Sequence, residues 1–218
     1  KKPAVFAVQY KGDTTGGEEA GIIRRIATYS KNPIDLVNPE HPDYKDLLVA
    51  SGWDTAFREG DEFDDTVGYI GGLDAGGRIW LLDRVKGQWG VPEVAREIEA
   101  SWIRWEPFAV WIEDYGSGTA AIQTLMASVP SIPTGGVKYS GGTRTRAHAL
   151  AQYIHEGRVL FPRSAAWLED AKYQLTHYGF TDSEDDVDAL YILVNNLLGQ
   201  RHPSFYESDR ESPIIRMG

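Results

Sequence analysis

Apolar residues along this chain hold one spacing, then another, and the changes mark its elements. Leu47-Leu48-Val49-Ala50-Ser51-Gly52-Trp53 is an unbroken apolar or small run closed by Asp54, which predicts a buried strand over Leu47–Asp54. Thr66–Leu73 and Arg78–Val85 read as two more strands. The tetrapeptide between them, Asp74-Ala75-Gly76-Gly77, has hairpin-turn chemistry because glycine supplies positive φ. The spacing then lengthens. Val94, Ile98, Trp102 and Trp105 recur at three- and four-residue steps and predict a helix over Val91–Trp105, with Pro92 tolerated in its first turn. A strand over Phe108–Ile112, a helix from about Thr119 to Ala127 and a short strand near Val137–Tyr139 follow. Thr143–Glu156 reads as a helix ended by Gly157. After the brief extended piece Val159–Phe161, Ala165–Thr176 and Asp185–Leu198 are the last helices, and residues 201–218 form a polar, irregular tail.

Upstream the pattern is weaker. Gly12-Asp13-Thr14-Thr15-Gly16-Gly17-Glu18-Glu19 reads as a loop leading into a short amphipathic helix over about Glu18–Tyr29. Asn32-Pro33 and Asn38-Pro39-Glu40-His41-Pro42 are turn signals, since proline fixes φ and biases its predecessor away from helix. Residues 1–45 are therefore expected to be an N-terminal appendage or linker, with the compact domain over 46–200.

Three strands with hairpin connections, followed by alternating helices and strands, imply an α/β fold with a mixed central sheet and helices on both faces. That order resembles the ribonuclease H-like fold. With 218 residues, 42% of them hydrophobic, and seven Trp, the chain has enough apolar material for one such domain. No apolar run approaches the roughly 18 residues of a membrane span, and the expectation is no membrane partner. The absence of Cys excludes disulfides and thiolate metal sites. The chain begins Lys-Lys-Pro without a Met, as expected of an excised fragment or processed product.

A net charge of −10 runs against the basic footprint usual in nucleic-acid binding. Its distribution changes the picture. Part of the acid is concentrated in Glu59-Gly60-Asp61-Glu62-Phe63-Asp64-Asp65, whereas basic residues recur at Lys138, Arg144, Arg146, Arg158, Arg163 and Lys172. One side of an acidic chain is thus expected to be basic. Lys138, Arg144 and Arg146 flank Ser140-Gly141-Gly142, expected to be a mobile loop, and are the candidates for contact with DNA phosphates. Read blandly, they are ordinary surface charge.

The chemistry lies in the acids. Asp54 closes one apolar strand; Glu113 and Asp114 close another, Pro107–Ile112; Asp185, Asp186 and Asp188 open the last helix. Carboxylates at two strand ends and a helix start are how a fold gathers a site for a hard cation such as Mg²⁺. Each also has a plainer reading: Asp54 as a turn cap, Glu113 and Asp114 as solvated strand-end acids, Asp185 and Asp186 as acids favoured at a helix N-terminus. Asp185 and Asp188, three apart, share a helix face, and which of Asp185, Asp186 and Asp188 meets metal stays open.

Gly52-Trp53-Asp54-Thr55-Ala56, Trp111-Ile112-Glu113-Asp114-Tyr115-Gly116-Ser117-Gly118 and Glu184-Asp185-Asp186-Val187-Asp188-Ala189-Leu190 resemble the nuclease domain of the phage terminase large subunit. Thr145-Arg146-Ala147, Glu156-Gly157-Arg158-Val159, Phe161-Pro162 and Trp167-Leu168 fit the same pattern, and the resemblance covers about residues 46–198. It implies that Asp54, Glu113, Asp185 and Asp188 are both catalytic residues and metal ligands, with Asp114 and Asp186 as alternates, for Mg²⁺ or Mn²⁺ in a two-metal site. The implied activity is metal-dependent endonuclease cleavage of double-stranded concatemeric viral DNA during genome packaging. The implied partners are double-stranded DNA and, in the full-length protein, an ATPase domain, the portal and the small terminase subunit, in the cytoplasm of the infected host cell. Ser183 and Glu184 stand where relatives often carry His and Asp, which leaves the ligand register open. No Gly-x-x-x-x-Gly-Lys-Ser/Thr loop occurs in the sequence, so the resemblance is to the cutting domain and not to the packaging motor.

Other classes compete. A carboxylate pair with many aromatics also describes a glycosidase, which would need an aromatic-lined cleft; Trp102 and Trp105 already fit a helix's buried stripe. A four-way-junction resolvase or another ribonuclease H-fold nuclease shares the element order, and a non-catalytic docking domain of a viral assembly would need none of the chemistry.

Overall fold

The computed structural model describes residues 22–55, 65–139, 141–179 and 184–200. The start of the expected helix at Glu18, the acidic loop up to Asp64 and the tail 201–218 lie outside them. In chain order the elements are β1 (Ala27–Tyr29), α1 (Pro33–Val37), β2 (Leu48–Asp54), β3 (Thr66–Leu73), β4 (Ile79–Gly87), α2 (Val91–Trp105), β5 (Ala109–Glu113), α3 (Ser117–Ser128), β6 (Thr134–Val137), α4 (Thr143–His155), β7 (Val159–Pro162), α5 (Leu168–Thr176) and α6 (Asp185–Leu198). No helix among the described residues is long and apolar enough to cross a membrane.

The strands form one seven-stranded sheet in the order β1-β7-β4-β3-β2-β5-β6. β3 runs antiparallel to both β2 and β4, while β2–β5, β5–β6, β4–β7 and β1–β7 are parallel. This mixed sheet with helices packed on it is an α/β ribonuclease H-like architecture. Strands buried on both faces are continuously apolar, and every residue of β3 is buried.

Side-chain alternation assigns the two faces. Ala50 of β2 and Val67, Tyr69 and Leu73 of β3 enter a core with α4, α5 and α6. Trp53 of β2 and Val110 and Ile112 of β5 point the other way, into a core with α2 and α3. Asp54 therefore shares the face of Gly52 and Ala50, and Glu113 shares the face of Trp111, which packs toward α6. Period two alone turns both acids to the same helix.

α6 lies unusually close to the sheet. A Cβ built on Gly52 would overlap the Leu193 backbone nitrogen and stand 2.8 Å from the Leu193 Cα. Glycine at position 52 is what lets the helix approach β2.

The segment before residue 45 departs from expectation. Residues 27–29 form the parallel edge strand β1, not the end of a helix, with Ala27 opposite Leu160 and Tyr29 opposite Pro162. Ile22, Ile23 and Ile26 are spaced as a helix would space them, but the open edge of β7 supplies backbone partners that a helix at this position would leave unused. Tyr29 is buried with its ring edge-on to Trp80 at 5.0 Å, and Leu36 of α1 is fully buried beside them. The short strand expected near Val137–Tyr139 lies earlier, at Thr134–Val137. Its glycines fit a crowded edge: a Cβ on Gly136 would stand 3.0 Å from the Asp114 Cβ.

Candidate metal centre

β2 and β5 are neighbouring parallel strands with Trp53 paired to Ile112, so Asp54 and Glu113 come next along each, side by side at the strand ends. α6 presents its first turn to the same place. Carboxylate oxygens of Asp54, Glu113 and Asp188 all lie within 4.8 Å of one another. Acids from three distant parts of the sequence thus converge at the end of the central parallel pair.

Arg146 of α4 closes the cluster. Its Nε donates to Asp188 Oδ1 at 2.7 Å, its Nη2 donates to Asp188 Oδ2, and its Nη1 donates to Glu113 Oε1 at 3.0 Å. Thr143, one turn earlier on the same face of α4, donates to Asp188 Oδ2 at 3.0 Å and accepts from Arg146 Nη2 at 3.1 Å. Glu113 and Asp188 are thereby bridged by one planar guanidinium.

Electrostatics set Asp54 apart. Desolvation by the surrounding protein, followed by repulsion from Asp188, Asp185 and Glu113, pushes its carboxyl well above the ordinary range, against a smaller opposing pull from Arg146. Asp188 is also raised, chiefly by burial, while hydrogen bonding and charge from Arg146 work the other way. These acids repel one another, and a bound cation would relieve that repulsion.

The remaining candidate residues fall in distinct places. Asp185 is not one of the three clustered acids, but its charge reaches Asp54. Asp186, an alternate ligand by sequence, is buried and bonded to Tyr69, Arg84 and Lys86 instead. Asp114, the other alternate, accepts from Thr119 at 2.6 Å and pairs with Lys138 at 3.2 Å, contacts that hold it below the usual carboxylate range. Lys138 and Arg144 are exposed, whereas Arg146 is enclosed by the acids. Ser140 lies outside the described residues; Gly141 adopts φ +104°, and Gly142 precedes the first turn of α4.

Two placements are not legible in the sequence, that of Arg146 and that of Ser117. Arg146, a candidate for phosphate contact, stands between carboxylates; Thr143, three residues before it, is the signal that one helix face is polar here. Ser117 Oγ donates to the Thr55 carbonyl oxygen, tying the end of β2 to the start of α3. A Cβ on Gly118 would overlap the Glu113 carbonyl oxygen, so β5 turns directly beneath α3.

The donor set fits a hard divalent cation. It consists of carboxylate oxygens, it lacks sulfur and imidazole, and its members are close enough to share an ion. A mixed sheet whose central parallel strands end in acids, met by an acidic helix, defines a ribonuclease H-like domain with an acidic centre. The terminase RNaseH-like domain model matches residues 51–197, and the chain belongs to that family.

Solved structures agree at the level of fold. The large terminase nuclease from thermophilic phage G20c with bound magnesium is similar at TM-score 0.53 and 16% identity, over 82% of this chain and 98% of that one. The same nuclease with bound zinc gives TM-score 0.50 and 18% identity, over 69% and 81%. A large terminase from another thermophilic bacteriophage, in complex with ADP, gives TM-score 0.55 and 12% identity, over 82% of this chain but 47% of that longer one. No curated protein sequence matches.

Proposed function

We propose that this chain is a divalent-metal-dependent endonuclease that cuts double-stranded concatemeric viral DNA during genome packaging. The observation that carries the reading is the convergence of Asp54, Glu113 and Asp188 at the ends of β2 and β5, in a chain of the terminase family. In this reading these three acids, with Asp185 beside them, hold Mg²⁺ or Mn²⁺. Divalent ions held there would supply Lewis acidity for hydrolysis of a phosphodiester.

The chain's own residues do the rest. Asp54, desolvated and crowded by like charge, gives up an energetic penalty when a cation neutralises the cluster. Arg146 holds Glu113 and Asp188 together by donating to both, and its guanidinium would be free to meet a phosphate if those acids turned to metal. Lys138 and Arg144, exposed on the segments flanking the cluster, contact the DNA backbone and position it without reading bases.

The likeness to longer terminases supports a wider setting. Residues 1–45 would link to a preceding ATPase domain, 46–200 would be the nuclease, and 201–218 a terminal tail. Partners would be duplex DNA, that ATPase domain, the portal and the small terminase subunit, in the cytoplasm of the infected host cell.

Incubation of supercoiled plasmid with the protein and Mg²⁺, Mn²⁺ or EDTA tests the activity. Nicked and linear DNA are expected with either metal and none with EDTA; a folded protein inert with both metals sinks the reading. A strong preference for four-way junctions over duplex would move the assignment to a resolvase.

Arg146→Met is expected to destabilise the metal-free protein by roughly 1–3 kcal/mol, because it leaves the carboxylates of Glu113 and Asp188 without their donor. The deficit should shrink when Mg²⁺ is added. An equal deficit with and without Mg²⁺ in thermal melts would contradict that role for Arg146.

A further inference from the structure

We propose that Arg84 and Asp186 form a positioning clamp that fixes the rotation of α6 and so presents Asp188 to the cation; the inference rests on the metal-site reading above. Asp186 is 1% exposed, and both of its oxygens are fully engaged. Oδ1 accepts from Arg84 Nε at 2.7 Å and from the Tyr69 hydroxyl at 2.6 Å. Oδ2 accepts from Arg84 Nη2 at 2.7 Å and from Lys86 Nζ at 3.3 Å. Arg84 Nη1 also donates to Asp170 Oδ2 on α5 at 2.7 Å, and Lys86 pairs with Asp65 at 3.0 Å.

The first turn of α6 is thus bolted to β3 and β4 by a two-pronged guanidinium contact. That contact has a preferred plane and direction, which a point charge lacks. Two residues along a helix turn by about 200°, so Asp186 and Asp188 project from nearly opposite sides of α6. Any rotation that loosens Asp186 from Arg84 swings Asp188 relative to Asp54 and Glu113. Further along, contact with Gly52 fixes how deeply α6 sits, but contact of a helix backbone with a glycine controls depth better than rotation.

Stability is a poor explanation for the pair. A buried ion pair is often no more stabilising than apolar side chains of similar volume, since desolvation consumes most of the attraction. What a bidentate pair supplies is geometry, and metal ligands depend on geometry. Asp186 is therefore a positioning residue that acts through Asp188, and not a ligand.

The test is Mn²⁺ binding measured by calorimetry on wild type, on Arg84→Met/Asp186→Leu and on Arg84→Lys. Folding is checked by circular dichroism, and the Mn²⁺ concentration giving half-maximal plasmid cleavage is recorded. The double variant removes both charges and puts apolar side chains in their place. It should fold, yet bind Mn²⁺ about 10–100-fold more weakly, with the cleavage midpoint shifted in parallel. Arg84→Lys keeps the charge and loses the fork. It should shift in the same direction, so the test does not depend on the double variant folding. Wild-type Mn²⁺ affinity in either folded variant overturns the clamp. If wild type itself binds no Mn²⁺, the metal-site reading fails and the clamp fails with it, an outcome distinct from binding that is present but indifferent to the pair.

Discussion

Asp54→Asn is expected to lose metal-dependent plasmid cleavage by about 10³-fold or more, a barrier increase of roughly 4 kcal/mol, while the metal-free protein melts at a higher temperature. Both effects have one source. Asp54 is the acid most strongly pushed up, by desolvation first and then by Asp188, Asp185 and Glu113. A carboxyl whose pKa is higher folded than unfolded favours the folded state while protonated, below its unfolded value. It loses that advantage as pH rises through the folded value. At neutral pH without metal, the Asp54 charge therefore works against folding, and a neutral amide of the same shape removes the penalty. The amide also removes one negative charge from the proposed metal site. Melting curves at pH 5 and pH 8 should show wild type losing more stability than the variant over that interval. Mg²⁺ should raise the wild-type melting temperature more than the variant's. An Asp54→Asn protein that cuts at the wild-type rate would remove Asp54 from the site.

Gly52→Val is the substitution expected to cost most in stability, and it should disable the site from a distance. The first added carbon already stands 2.8 Å from the Leu193 Cα, and a helix backbone cannot move aside as a flexible side chain does. α6 must lift from β2, carrying Asp188 away from Asp54. Overpacking of this kind costs about 3 kcal/mol or more, which for a domain of this size is a fall of roughly 6–12 °C in melting temperature. Mn²⁺ affinity should fall with it. Gly142→Ala is the control: a Cβ there meets nothing within 4 Å, and its φ of −78° suits any residue. A Gly52→Val protein that melts like wild type would mean that α6 is not held against β2 as described.

Particular residues explain how much of this is readable from sequence. β3, α2 and α6 coincide with the expected ranges Thr66–Leu73, Val91–Trp105 and Asp185–Leu198. Each has a strong periodic or continuous apolar signal and a clear boundary. Tyr29 departs from its expected helix because edge pairing with β7 is a long-range event, and three isoleucines spaced for a helix carry no trace of it. Asp54 and Glu113 stand out in the sequence because each ends an apolar run, although a turn cap or a solvated strand-end acid would look the same there. Which acid of α6 faces the cluster is not legible. Asp186 and Asp188 look alike on paper, and only Arg84, distant in sequence, separates a clamped acid from a converging one. Arg146 escapes for the same reason: its place depends on how α4 packs beside α6.

The most direct test of the central claim is a crystal of the wild-type protein grown with Mn²⁺, with anomalous scattering recorded to locate the ion. A peak coordinated by oxygens of Asp54, Glu113 and Asp188, with Arg146 drawn away from at least one of them, is the predicted result. Mn²⁺ bound only elsewhere, with Arg146 still bridging Glu113 and Asp188, would contradict it.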